Sequence, residues 1–366
     1  MSGDDGVRTV LVTGASGFLG GHLVDGALRA GHRVRALVRS SSDVTRLRGL
    51  PGVELVHGDL GDAESLRHAV AGVDVVQHSA GRVVDHGTRA QFTAENVRGT
   101  EWLLTAARQA GVRRFVFVSS PSALMGPTDG DRLGIDERTP YPDRWLNLYS
   151  ETKAAAERLV LAANRPDFCT VALRPRGIWG PRDRSGFLPR LVGRMLAGRL
   201  PDLSGGKRVL VSLCHCDNAV AAVLRAAEAP AERVGGRPYF IVDREQTDLW
   251  AFLTRLAELL GGRPPTTRLA PPVRDALVSA VELLWLIPGL AARWERPLSR
   301  YAVALLTRSA TYRTAAAERD FGYRPVTDQE SGLRGLLDWV ESIGGAREFT
   351  SPSGSFGSAG GSGGRR

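Results

Sequence analysis

Thr9-Val-Leu-Val-Thr13-Gly14-Ala-Ser16-Gly17-Phe18-Leu19-Gly20 decides the fold of this 366-residue chain. The first five residues are apolar or β-branched, as in a buried strand, and they run without a spacer into a turn with three glycines and then an amphipathic stretch. Glycine is what a strand-to-helix turn needs where the backbone must come close to a bound group. The helix that follows offers unpaired N–H groups and a positive dipole end, the chemistry of a pyrophosphate site. The segment therefore reads as a dinucleotide cradle, with Gly14, Ser16, Gly17, Phe18, Leu19 and Gly20 as its candidate residues.

The next strand, Arg33-Val-Arg-Ala-Leu-Val38, selects between dinucleotides. An NAD site would place Asp or Glu at its end, whereas here Arg39 and three serines follow. An arginine there matches a 2′-phosphate, so NADP is expected and NAD is the alternative. Asp59 and Leu60 follow the third strand at the adenine edge, where the Asp59 carboxylate can accept from an amino group or cap a helix.

From Arg8 to Arg174 strand-length apolar runs alternate with longer amphipathic segments: TVLVT, a helix near 17–30, RVRALV, VELVHG, a helix near 62–71, VDVVQHSA, a helix near 88–110, FVFVSS, a helix near 149–164 and CTVALR. That order predicts an α/β, Rossmann-like, doubly wound parallel sheet. Beyond it come shorter strands, VLVSL and YFIV, and helices near 217–229, 247–260, 272–287, 296–308 and 330–343. They predict a smaller C-terminal substrate-binding lobe. The division expected is 1–175, with returning segments near 207–242, for the NADP-binding domain, and 176–206 with 243–349 for the lobe. The Gly/Ser-rich stretch 350–366 is expected to be disordered.

Composition narrows the classes. With 43% hydrophobic residues the chain can build a full core, and a net charge of +9 comes from arginines spread without long basic runs, which argues against a nucleic-acid partner. Cys169, Cys214 and Cys216 form no disulfide framework, and Cys214-His215-Cys216 lacks a second ligand cluster in sequence, so a reducing cytoplasm and no metal are expected. The N-terminus carries no basic leader pattern. The apolar stretch Ala276–Ala292 is short for a bilayer span and broken by Glu282 and Pro288. It reads first as a substrate lid, then as a packed helix, then as a shallow membrane contact.

Of 48 basic residues only two are lysine, Lys153 and Lys207, and Lys153 stands four positions after Tyr149. On a helix the two share a face, and a cation beside a phenol lowers its pKa. Such a pair suits proton transfer.

Together the segments TGASGFLG, GDL, HSAG, AENVRGTEWLL, VSSPSALMG, YSETK, LRPRGIWGP and HCDNA resemble the extended short-chain dehydrogenase/reductase superfamily. Within it the chain is most similar to the 3β-hydroxysteroid dehydrogenase-like branch. ALRPRGIWGPRD and RDFGYRPVTDQESGL resemble segments of the bacterial 2-alkyl-3-oxoalkanoate reductases of long-chain olefin biosynthesis. The resemblance implies a Ser-Tyr-Lys mechanism: Tyr149 protonates a carbonyl oxygen, Lys153 lowers the Tyr149 pKa and holds the nicotinamide ribose, and Ser120, or Ser122 two positions on, polarises the carbonyl. It also implies that Ser79, Ala80 and Gly81 line the cofactor, that Asn96 supports the site, and that Pro175 and Ile178 lie beside the nicotinamide carboxamide. Homodimerisation through the helices near 88–110 and 149–164 is a further family expectation. Arg176 is a candidate contact for an anionic group, and Trp179 for a greasy substrate pocket. The expected activity is reduction of a 3-oxo group on a small hydrophobic ketone, or the reverse oxidation. Two other readings of the same fold are a nucleotide-sugar epimerase or dehydratase, and a non-catalytic NADP sensor.

Overall fold

In the computed structural model, which describes residues 6–84, 87–184, 186–265, 267–285, 287 and 299–351, the strands fall where the apolar runs lie. They are β1 (Thr9–Thr13), β2 (Arg33–Val38), β3 (Val53–His57), β4 (Val75–His78), β5 (Arg114–Val118), β6 (Arg132–Ile135), β7 (Cys169–Pro175), β8 (Ile178–Trp179), β9 (Leu210–Ser212), β10 (Cys214–His215), β11 (Arg237–Ile241), β12 (Gln246–Asp248) and β13 (Ala310–Tyr312). Seven of them form one sheet in the order β11-β7-β5-β4-β1-β2-β3, and every neighbouring pair is parallel. The strand order reverses between β1 and β4, which opens a crevice beyond their carboxyl ends.

The helices as far as residue 284 are α1 (Phe18–Arg29), α2 (Thr45–Arg48), α3 (Ala63–Val70), α4 (Arg89–Phe92), α5 (Gly99–Gln109), α6 (Leu148–Ala162), α7 (Phe187–Leu196), α8 (Cys216–Glu228), α9 (Ala231–Val234), α10 (Leu249–Leu259) and α11 (Pro271–Leu284), of which α7, α10 and α11 belong to the smaller lobe. Side chains alternate between the two faces of the sheet. Val10, Val12, Val116 and Val118 join the layer of α1 and α8, while Leu11, Phe115 and Phe117 join that of α3, α5 and α6. Burial on both faces is why these strands are apolar throughout rather than at every second position. The helical stretch expected near 88–110 is interrupted by a π-turn at Thr93–Arg98, and such turns concentrate at functional sites.

A second sheet, β12-β9-β13-β6, and the buried core around Val192, Leu253, Leu256 and Leu336 make the smaller lobe. Residues near 207–242 divide between the layers: β9 pairs with β12 and β13, whereas α8 and β11 join the large sheet. Ala317 and Tyr323, late in the chain, also pack on that sheet. Most of the Gly/Ser tail, 352–366, and the end of the apolar stretch, 288–292, lie outside the described residues. Among the described residues no helix is long and apolar enough to cross a membrane.

The layers are tied at one buried corner. Asp243 accepts from His215 N (2.7 Å), Asn218 Nδ2 (2.6 Å) and Trp179 Nε1 (2.9 Å). Asn218 also donates to Thr327 O (2.8 Å) and accepts from Val326 N (2.7 Å) and Thr327 N (2.9 Å), so all its hydrogen-bonding capacity is used. Asn218→Ala leaves several of these buried groups unpaired and should lower stability by about 2–4 kcal/mol in urea denaturation. A loss below about 0.5 kcal/mol would show that the corner is not a structural tie.

Candidate active site

At the end of β1 the backbone turns through Gly14, whose φ of +70° favours glycine. A Cβ there would sit 3.0 Å from Ala80 N, and one on Gly20 would lie 2.0 Å from Gly14 O. The cradle is thus closed to any side chain. Gly17 is the N-cap of α1 and gives it no side-chain cap, so the positive end of the helix is left to an anion. Ser16 and Gly17 are exposed beside it. Since β1, β2 and β3 are parallel neighbours, Arg39 and Asp59 follow the same carboxyl edge as the glycine turn. Arg39 is exposed, and its backbone N–H bonds Ser42 Oγ (3.2 Å), closing a turn over the serines. Asp59 Oδ1 accepts from Gly61 N (2.7 Å). Leu60 packs where a side chain on Gly99 would have to go. These residues fit a dinucleotide: an uncapped helix end, a cradle that excludes Cβ atoms, and a basic strand end.

Behind β4 runs a buried chain of hydrogen bonds. Ser79 Oγ donates to Thr13 O (2.7 Å), and Ala80 N to Thr13 Oγ1 (3.1 Å). Thr13 Oγ1 meets His78 Nδ1 (2.7 Å), His78 Nε2 meets Thr100 Oγ1 (3.0 Å), and Thr100 Oγ1 donates to Asn96 O (2.7 Å). Because the Thr100 proton goes to Asn96, His78 must donate from Nε2 and accept at Nδ1. Burial, with Lys153 adding to it, pushes the His78 pKa down to about 3, so the ring is neutral. Asn96 itself accepts from Arg82 N (2.6 Å) and donates from Nδ2 to Arg82 O (3.1 Å) and to Thr152 Oγ1 (3.1 Å), next to Lys153. Gly81 approaches the Asn96 amide so closely that a Cβ would stand 3.0 Å from Oδ1.

Beyond β5, Ser120 is the N-cap of the short 3₁₀ turn Pro121–Leu124, accepting from Ser122 N (3.2 Å), with Pro121 in the first position that suits proline. The Ser120 hydroxyl lies beside the phenol of Tyr149, in the first turn of α6, and draws its pKa down. Ser122 Oγ is engaged elsewhere, 2.9 Å from Tyr301 OH, and the rings of Tyr149 and Tyr301 meet edge to face at 6.2 Å. Tyr301 is a neighbour of the site that the sequence did not flag, because it arrives from a distant helix, Arg300–Thr307, with no motif around it. One turn along α6, Lys153 Nζ donates to Val118 O (2.7 Å) and stands 4.4 Å from the centre of the Phe117 ring. Burial pulls its pKa down to about 8, with Glu157 opposing.

One expectation changes here. Burial raises the Tyr149 phenol above its ordinary value, and the group that pulls it down is Ser120. Lys153 shares the helix face, but its ammonium is directed at the Val118 carbonyl. Pro175 closes β7, Ile178 opens β8, and Arg176 is buried between them, donating to Ser212 O (3.3 Å). Trp179 belongs to the lobe core, wedged between His215 (4.9 Å) and Phe252 (5.3 Å), and does not line a substrate space.

Glu157, one further turn along α6, also escaped the sequence reading, although Tyr149, Lys153 and Glu157 recur at four-residue spacing. Its carboxylate takes Arg174 Nε (2.9 Å) and Nη2 (2.6 Å), with both side chains sealed from solvent, and also accepts from Tyr141 OH. Away from the site, His22, Cys216 and Asp217 bring ligand atoms within 4.8 Å of one another. Burial holds the Cys216 thiol well above its ordinary pKa, and His22 meets Pro181 O with Nε2 (2.9 Å) and faces Asp217 with Nδ1 (4.0 Å).

A profile of the 3-beta hydroxysteroid dehydrogenase/isomerase family matches residues 11–271. The chain is 39% identical to the 4-hydroxy-2-methyl-3-oxo-4-farnesyl-3,4-dihydroquinoline-1-oxide ketoreductase of Stigmatella aurantiaca, over 89% of this chain and 94% of that one. It is 37% identical to the 2-alkyl-3-oxoalkanoate reductase of Stenotrophomonas maltophilia, over 89% of this chain and 98% of that one. Among solved structures it superposes on MoeE5, bound to UDP-glucose and NAD, with a TM-score of 0.69 at 26% identity, covering 91% of this chain and 99% of that one.

The Lys153 environment has a consequence for stability. The unfolded chain keeps this proton up to its ordinary pKa of 10.5, whereas the folded one releases it near 8. Between those values the unfolded state binds more protons, so stability rises with pH, by roughly 3 kcal/mol at most. Urea denaturation of the wild type and Lys153→Met between about pH 7.5 and pH 10 should give the rise only in the wild type. Parallel pH profiles would exclude a depressed Lys153.

Proposed function

The chain belongs to the 3-beta hydroxysteroid dehydrogenase/isomerase family, and on that premise we propose that it is a nicotinamide-dependent oxidoreductase. Its reaction is reduction of a 3-oxo group to a secondary alcohol, or the reverse, on a hydrophobic substrate such as a 2-alkyl-3-oxoalkanoate or a steroid-like ketone. One observation carries the reading: a phenol and a serine hydroxyl, side by side, stand one helical turn from a buried ammonium at the carboxyl edge of the sheet that holds the glycine cradle.

The roles follow from the chemistry of each group. The cofactor, when bound, supplies hydride to the carbonyl carbon. Tyr149, with its pKa raised, holds its proton at neutral pH and gives it to the carbonyl oxygen as that oxygen gains charge. Ser120 donates to the same oxygen and afterwards steadies the phenolate. Lys153 spends one N–H on Val118 O and keeps others for the ribose hydroxyls of the cofactor. Gly14, Ser16, Gly17, Phe18, Leu19 and Gly20 take the pyrophosphate; Asp59 and Leu60 the adenine; Ser79, Ala80, Gly81, Asn96, Pro175 and Ile178 the nicotinamide side. Ser122 faces the substrate from the turn after β5 and Tyr301 from the lobe, and α11, with Val273, Leu277 and Leu284 exposed, supplies apolar cover.

NADP is the preferred dinucleotide in this reading. The support is Arg39 at the end of β2, where an acid would select NAD, with the exposed Ser40 and Ser41 beside it.

Tyr149→Phe should cut ketone-dependent NADPH oxidation by about 100-fold or more while quenching of protein fluorescence by NADPH persists. Turnover at the wild-type rate would remove Tyr149 from the mechanism. Arg39→Asp should shift the ratio of kcat/KM values from NADPH towards NADH by about tenfold or more. An unmoved ratio would leave NAD as the natural cofactor.

A further inference from the structure

The cleft on the far side of the serine turn is basic in a way that ketone reduction alone does not require. Pro121 and Leu124 form part of its apolar wall, and Arg132, Arg176 and Arg308 converge on it with Asp129 as its one acid. Arg132 is matched by that acid, at 3.3 Å. The other two guanidiniums meet neutral acceptors: Arg176 donates to Ser212 O (3.3 Å), and Arg308 to Gly126 O (3.3 Å) and Pro127 O (3.0 Å). Among the described residues neither has a carboxylate within ion-pair distance, and Arg176 is only 8% exposed. A guanidinium taken out of water without a counter-charge is destabilising, and a carboxylate arriving against it forms short, charge-assisted bonds.

The cleft adjoins the candidate catalytic groups through the sheet. Val118 of β5 pairs with Leu173 of β7, and Ser119 N donates to Leu173 O (2.7 Å). The two strands therefore end side by side, β5 running on to Ser120 and Pro121, β7 to Pro175 and Arg176. Ser120 stands beside Tyr149 on one side of the turn, and Pro121 meets the same cleft as Arg176 on the other.

We propose that this cleft is a carboxylate subsite, in which Arg176 and Arg308 hold the acid group of an oxo acid whose carbonyl lies at Ser120 and Tyr149. The inference rests on the ketone-reducing reading above and deepens it: the substrate is an acidic ketone rather than a neutral one. The apolar cleft wall suits the carbon atoms beside the carboxylate, and a neutral ketone would leave Arg176 without an ion-pair partner and Arg308 with only the more distant Asp129, Asp131 and Asp275.

The test compares one 2-alkyl-3-oxoalkanoate with its methyl ester, using the full chain and NADPH. The acid should exceed the ester in kcat/KM by about tenfold or more, and Arg176→Met or Arg308→Met should collapse that ratio towards one, chiefly through KM for the acid. Turnover of the ester by each variant reports whether it has folded. A binding measurement is added that needs no turnover: calorimetric titration of dodecanoate against dodecanol, with dodecanoate alone expected to bind in a manner that Arg176→Met weakens. Equal kcat/KM for acid and ester in the wild type, or a ratio that neither substitution moves, overturns the proposal. If dodecanoate binds through Arg176 while no ketone is reduced, the carboxylate subsite stands and the reductase reading fails.

Discussion

A carboxylate and a guanidinium that never meet water hold α6 against β7. Glu157 and Arg174 form a two-pronged pair with side chains 0% and 2% exposed, and a buried pair of this kind is held by geometry more than by net energy. The cost of stripping both ions of water nearly cancels their attraction, but removing either one strands the other, at about 3–5 kcal/mol. The pair therefore acts as a latch with one permitted position. It fixes the rotation of α6, and that rotation aims Lys153 at the Val118 carbonyl and brings Tyr149 to Ser120. Tyr141, bonding the same carboxylate, closes the latch from the loop side.

The other end of α6 is set by hydrogen bonds with a fixed direction. From Ala80 N through Thr13, His78 and Thr100 to the Asn96 carbonyl, each proton has one place to go. A second branch, from the Asn96 side chain to Thr152 and on to Leu148 O, reaches the helix itself. The glycine cradle and α6 are thereby registered through a neutral histidine and the π-turn that carries Asn96. A protonated His78 would present two donors to this chain and break its polarity, which burial prevents. Two independent constraints, one ionic and one directional, thus position the same helix.

The sequence makes one half of this legible. The glycine turn, the strand order and the Tyr149–Lys153 spacing are local patterns, readable because backbone sterics and helical periodicity act over a few residues. The choice between Ser120 and Ser122 is not local: both sit in one turn, and what separates them is that one meets Tyr149 while the other meets Tyr301, 179 residues away. Trp179 failed as a pocket residue for the same reason, since a large aromatic near a site motif can serve the pocket or the core, and here Asp243 and Phe252 claim it. The short strands β6 and β13 pair across a long stretch of chain and have too few residues to show an alternating pattern.

Lysine rarity shows the same distinction. Lys207 is as rare as Lys153, yet it makes a half-exposed ion pair with both oxygens of Asp131, at 2.9 and 2.8 Å, a task open to arginine. Lys153 differs by its setting. Its Nζ has a single carbonyl at 2.7 Å and an aromatic face at 4.4 Å. A planar guanidinium would bring five donors into a space that offers one acceptor, and would stay charged at every working pH. An ammonium brings three, keeps two for a partner, and loses its proton near pH 8 when burial outweighs Glu157. The buried setting therefore requires a compact cation whose charge can respond to its surroundings, and only lysine among the basic side chains combines that size with that range of pKa.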